Sequence, residues 1–184
     1  MADNFLQDPL PQTGIRWQKA QERHGDVMLT LFEYNWQVRD DWFQWCANVP
    51  EDELLAPRTG GVKGILKTLF HIVDVEYSWV CALQGKPEFE EPFDSHNTLA
   101  AVRDLSARFH TDVEPFVRAW TDEMEFKDLV VERSPGHWVT YKHGEVMRHV
   151  IAHEMHHIGQ LSVWAREIGR EPVSANLIGR GLYE

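Results

Sequence analysis

The chain has 184 residues, 43% of them hydrophobic and 26% charged, a composition that suits one folded domain with a real core and excludes wholesale disorder. Its 18 Lys and Arg stand against 29 Asp and Glu, for a formal net charge of −11. A surface of that sign repels phosphate backbones and anionic headgroups, so neither nucleic acid nor a membrane surface is expected as a partner.

Residues 1–14 are polar, carry Pro9 and Pro11, and read as flexible. Ile15 to Arg23 reads as a short helix broken at Gly25. Asp26 is a plausible N-cap for the first long helix, which places Leu29, Phe32, Trp36, Arg39, Phe43 and Cys46 at spacings of three and four and stops near Val49-Pro50. Pro50-Glu51-Asp52-Glu53 reads as a helical turn with acidic residues at its positive end. A second helix opens after Gly60-Gly61, runs through Ile65, Leu66, Leu69, Phe70, Val73, Val80 and Leu83, and meets its stop at Gly85 and Pro87. The third begins near Asn97-Thr98 and carries Leu99, Val102, Leu105, Phe109, Val113, Phe116 and Trp120. Leu129-Val130-Val131 and Trp138-Val139-Thr140 flank Ser134-Pro135-Gly136, the pattern of a small β-hairpin. The fourth long helix follows Thr140, ends at Ile168 and has Gly169 as its C-cap; 171–184 is an irregular tail. The expected fold is all-α: a four-helix bundle with longer connections and a hairpin before the last helix, in a single domain over 1–184.

Cys46 and Cys81 each lie in an apolar helical stretch and read as buried free thiols. No stretch approaches the ~20 apolar residues of a membrane span. The N-terminus lacks the basic-then-apolar build of a signal peptide, so cytoplasmic residence is expected. Eight Trp and nine Phe are more than four helices of this length easily hide, which favours a homodimer.

Ten histidines justify a search for a metal site. The last helix reads His149-Val-Ile-Ala-His153-Glu154-Met-His156-His157-Ile-Gly-Gln160, so His153 and His157 lie one turn apart on one face, and imidazoles so spaced can converge on one ion. His149 and His156 flank that face, and spacing alone does not choose among the four. His71 interrupts the apolar run Leu69-Phe70-His71-Ile72-Val73, where an imidazole costs about 1–3 kcal/mol unless a partner uses its nitrogen. Asp74 and Glu76 follow and are placed to orient a ligating histidine. A lone core histidine is more often hydrogen-bonded than metal-bound, and a lone i, i+4 pair is as often a solvated face as a site.

In order along the chain, Tyr34-Asn35-Trp36, then Phe70-His71-Ile72-Val73-Asp74 with Trp79, then His149, His153-Glu154 and His157-Ile158-Gly159-Gln160 are similar to the signature segments of the DinB/YfiT-like family of metal-binding four-helix bundles. The resemblance covers roughly Val27 to Gly169. It implies a divalent metal, zinc or nickel, held by three histidines that fall here on His71, His153 and His157, with His149 a neighbour and His156 at the surface or a pocket rim. Ile158 departs from the pattern, since many relatives carry Arg there. Members include S-transferases and isomerases that use low-molecular-weight thiols, so a small thiol and an electrophile are the implied substrates, with Trp36 and Trp79 as candidate pocket walls.

Two other metal chemistries share these residues. His153-Glu154-Met155-His156-His157 satisfies the His-Glu-x-x-His pattern of zinc proteases, with Glu154 as general base, yet no histidine follows His157 to act as third ligand. Glu154-x-x-His157 matches half of a di-iron carboxylate site whose second copy is missing. A metal-stabilised binding module without catalysis is the non-enzymatic alternative.

Overall fold

Apolar residues recurring at three- and four-residue spacing produce four long helices: α1 (His24–Cys46), α3 (Ile65–Leu83), α4 (Leu99–Arg118) and α5 (His143–Glu167), with the short α2 (Glu51–Leu55) between the first two. The structure is a computed structural model that describes residues 24–183, with side chains from Val27 onward. The readings of 1–14 as flexible and of Ile15–Arg23 as a helix lie outside the described residues. Gly25 does not break α1, which runs through Gly25 and Asp26; one helical glycine costs only about 1 kcal/mol, within what the buried face returns. Thr98 caps α4 by accepting from the Ala101 N–H at 3.2 Å. Gly85 and Gly169 take positive φ at the ends of α3 and α5, the conformation that closes a helix.

Around the bundle, α3 packs on α4 and α5, and α1 packs on the same two helices, so α1 and α3 lie diagonally opposite, as do α4 and α5. The chain therefore crosses a diagonal twice, once through α2 and once through the hairpin β1 (Asp128–Ser134) and β2 (His137–Lys142). The hairpin is antiparallel, pairs Val130 with Thr140 and Glu132 with Trp138, and has an irregularity between Glu132 and Ser134. Its alternate residues Leu129, Val131, Val139 and Tyr141 turn inward.

The core falls into two apolar clusters. One gathers Val38, Trp42, Phe43, Leu66, Leu69, Val73, Leu105, Ile158 and Leu161. The other gathers Phe32, Val80, Val113, Val117, Met147 and Ile151. Along α1, α3 and α5 the residues between these clusters are polar and buried: Asn35 and Arg39, Glu76, then Glu154 and His157. The tail after Gly169 packs across α1, where the Tyr34 hydroxyl donates to Ala175 O at 2.7 Å and Arg180 pairs with Asp41 at 3.1 Å. Among the described residues Trp42, Trp120, Trp164, Phe32 and Phe43 are buried, whereas Trp138 and Phe126 are exposed. Cys46 and Cys81 are free and buried, and burial pushes the Cys46 thiol up to about 12. Among the described residues no helix is long and apolar enough to cross a membrane.

Candidate metal centre

His71 projects from α3 into the α3–α5 seam, and His153 and His157 meet it from successive turns of α5. The structure brings these three together: His153 Nε2 lies 3.1 Å from His71 Nε2 and 3.1 Å from His157 Nε2. One ligating atom of each lies within 4.8 Å of one of each of the others. His157 is buried, whereas His71 and His153 are half-buried, so the cluster is reached from one side. Burial lowers all three pKa values, helped by the charge of neighbouring histidines and opposed at His157 by its hydrogen bond to Gln160, and His153, surrounded by four other imidazoles, falls to about 3. At neutral pH the three rings are uncharged.

The far nitrogen of His157 has a partner that spacing did not assign. His157 Nδ1 lies 2.8 Å from Gln160 Oε1, and since an amide oxygen only accepts, the proton sits on Nδ1 and the Nε2 lone pair faces the cluster. Gln160 is itself held: its Nε2 donates to His156 Nε2 at 3.0 Å, and its oxygen lies against the Gly60-Gly61 loop. A Cβ on Gly61, whose φ is +50°, would stand 2.3 Å from Gln160 Oε1, so the loop comes this close only with glycine there. Trp164 Nε1 fastens the same loop to α5 by donating to Thr59 O at 3.2 Å. The signal in the sequence was Gln160 three residues after His157, on the same helical face.

The acidic residues expected to orient the histidines do other work. Asp74 accepts from the Ser78 hydroxyl at 3.1 Å. Glu76 belongs to the buried polar layer, where Arg39 reaches across the diagonal from α1 with Nη1 and Nη2 each 2.8 Å from its carboxylate. The same guanidinium meets Glu154 at 3.0 Å through Nε and 2.5 Å through Nη2. Trp36 Nε1 adds a bond to Glu76 at 3.0 Å. Arg39, Glu76 and Glu154 are 3%, 2% and 1% exposed, so one cation bridges two carboxyl groups in the dry centre of the bundle. Burial raises Glu154 to about 7 although Arg39 opposes the shift, and Arg39 is held protonated by both acids. Position 154 is one residue, about 100°, round the helix from 153, which turns Glu154 inward as His153 turns to the seam. Both its oxygens are engaged by Arg39, so Glu154 is not placed as a general base at the cluster. Arg39, Glu76 and Glu154 were individually visible as charged residues within apolar helices; their meeting was not.

His149 is exposed, its ring 5.8 Å from that of His153 and 6.0 Å from that of Trp79. Trp79 therefore stands beside the cluster, separated from it by His149. Trp36 does not: it binds Glu76 and packs edge-on against His110 at 4.5 Å, on the α1–α4 side. Ile158 is buried in the first apolar cluster, where an arginine would have no water.

A bundle of four long helices, with three converging histidines on one seam and a charged layer at mid-height, defines the class of protein. The model of the DinB family matches residues 19–180, and the chain belongs to that family. It is also 50% identical over 155 residues to the uncharacterized protein YizA of Bacillus subtilis (strain 168), an alignment covering 84% of this chain and 96% of the relative.

Proposed function

We propose that this chain binds one divalent metal ion, zinc or nickel, through Nε2 of His71, His153 and His157, and that it activates a small thiol for transfer to a small electrophile. The observation that carries the metal is the donor set. His153 Nε2 faces two other Nε2 atoms at 3.1 Å, and a neutral imidazole has at most one proton there to offer. That proton can serve one neighbour only, so a nitrogen in the half-buried seam goes unmatched unless a cation joins the cluster. Ligand nitrogens on a tetrahedral ion with bonds of 2.0–2.1 Å stand about 3.3 Å apart, close to the spacing found. Depressed pKa values keep the rings in the unprotonated form that ligation requires.

A divalent ion on three neutral imidazoles supplies a Lewis acid of undiminished charge with an exchangeable position, suited to holding a thiol as its thiolate. The protein's own residues do the rest. Gln160 fixes the tautomer and orientation of His157. Arg39 pairs with Glu154 and Glu76 and offsets part of the negative charge they would otherwise add behind the site. The half-buried faces of His71 and His153 leave room for a small molecule from the solvent side. The thiol reading is supported by that neutral, partly open donor set and by membership of the DinB family.

Elemental analysis after expression in metal-replete medium tests the metal, with about one ion per chain expected, and metal-free protein overturns the site. Conjugation of a small thiol to a dinitrophenyl electrophile by the loaded protein, lost in His153→Ala, tests the transferase. Bound metal without conjugation retires the transferase in favour of a metal-stabilised binding module.

A further inference from the structure

A cavity of about 250 Å³ opens at the base of α5, lined by Trp79, Arg133, Tyr141, Glu145, Val146 and His149. Tyr141 and His149 each stand nearly perpendicular to the Trp79 indole, at 83° and 82°, with ring centroids 6.3 and 6.0 Å away. Val146 is buried and makes part of the wall apolar. A flat ring laid along any one of these aromatic faces meets the edges of the others, the arrangement aromatic groups prefer.

Arg133 is the cavity's cation and Glu145 its acid. The Arg133 guanidinium carbon lies 5.9 Å from the Tyr141 ring centroid, and among the described residues this arginine has no ion-pair partner. Three of the nearby acids, Glu145, Glu132 and Asp74, accept hydrogen bonds elsewhere. Glu145 accepts from the Lys142 N–H at 2.8 Å, capping α5. Glu132 accepts from the Gly136 N–H at 2.7 Å within the hairpin turn. Asp74, across the adjoining cleft that Trp79 and Arg133 also line, accepts from Ser78, and Glu88 and Glu132 are that cleft's other acids. In a chain of net charge −11, an arginine with no ion pair among the described residues stands at the mouth of an aromatic cavity, where its fork can meet an anion from solution.

We propose that this cavity is a binding site for a small aromatic carboxylate, its ring against Trp79 and Tyr141 and its carboxylate on Arg133. A guanidinium suits a carboxylate because its planar fork donates two parallel hydrogen bonds, and the aromatic walls lower the competition from water. The volume admits one ring with a short side arm. His149 separates the cavity from His153, so a ligand here lies one helical turn from the histidine cluster without ligating through it.

Titration of the full chain with phenylacetate, benzylammonium and benzyl alcohol, followed by Trp79 indole NMR shifts and calorimetry, tests the site in both metal-free and metal-loaded protein. Phenylacetate should bind at least tenfold more tightly than the other two, in both forms. Arg133→Gln should remove that preference, and Trp79→Leu should weaken binding of the carboxylate in parallel; metal content should stay unchanged in Arg133→Gln. Tighter binding of benzylammonium would overturn the assignment in favour of the acidic cleft, as would a preference for phenylacetate that survives Arg133→Gln. Absence of binding by any probe to a folded, metal-bearing protein would overturn it as well. Because the metal-free protein is expected to bind, failure of the metal site and failure of this cavity give different results.

Discussion

Arg39→Met removes the one cation from the buried polar layer and leaves Glu76 and Glu154, 2% and 1% exposed, facing each other without a counter-charge. Breaking a buried ion pair by deleting one partner typically costs about 3–5 kcal/mol, because the surviving charge keeps its desolvation penalty and loses its compensation. For a chain of this size roughly 2–4 °C of melting temperature follows each kcal/mol, so a drop of about 6–20 °C is expected at pH 8. The loss should shrink as pH falls. Without Arg39 the Glu154 carboxyl, pushed to about 7 even beside Arg39, keeps a folded pKa above its unfolded value, so the variant's stability is present below the unfolded pKa and is lost as pH rises toward the folded one. A triple variant, Arg39→Met with Glu76→Leu and Glu154→Leu, removes all three charges and should melt near or above the wild type, since apolar side chains of similar volume replace a desolvated network at little cost. Differential scanning calorimetry of the three proteins between pH 5 and 8 is the assay. If Arg39→Met costs under about 1 kcal/mol at pH 8, or its loss grows toward pH 5, the layer is wetter than its burial implies and the reasoning fails.

The remaining predictions concern the seam and the assembly. His71→Ala, His153→Ala and His157→Ala should each strip most of the metal on dialysis, whereas His149→Ala and His156→Ala should retain it; equal loss from His149→Ala and His153→Ala would point to a different face of α5. Gln160→Ala should weaken metal affinity by roughly 10–100-fold, the usual effect of removing a hydrogen bond behind a ligating histidine. Gly61→Ala should act in the same direction, because its Cβ would displace Gln160 Oε1 from 2.3 Å away; a chelator competition showing wild-type affinity in both would deny Gln160 its role. Metal should be retained well below pH 6.5, since the folded pKa values of the three histidines are depressed and protons compete only as pH falls toward them; full release already at 6.5 in a pH-stepped dialysis would contradict this. A homodimer, if it forms, has Phe126, Val130 and Trp138 as exposed apolar residues at or near the hairpin, and monomer mass by light scattering across a wide concentration range would exclude it.

What the sequence determined by itself was the set of helices, their ends and half of the site. Periodic apolar residues, the Thr98 cap and the Gly85 and Gly169 terminators are local signals, each read within one or two turns, and they placed α3, α4 and α5 closely. The i, i+4 spacing of His153 and His157 is likewise local, because helix geometry alone puts them on one face. His71 stood out as a histidine inside an apolar run, and the resemblance joined it to the pair, a convergence that no spacing within one helix can specify. Tertiary structure decided everything that depends on how helices turn toward each other. It sent Glu154 inward to Arg39 while its neighbour His153 faced the seam, and it took Asp74 and Glu76 away from the histidines. It also put Gln160 behind His157 with Gly61 against it, and separated Trp79 from Trp36. Each of these rests on contacts between residues far apart in the chain, where the deciding quantity is which buried charge finds a partner. That is set by the packing of α1, α3 and α5 together, and a single helix carries no record of it.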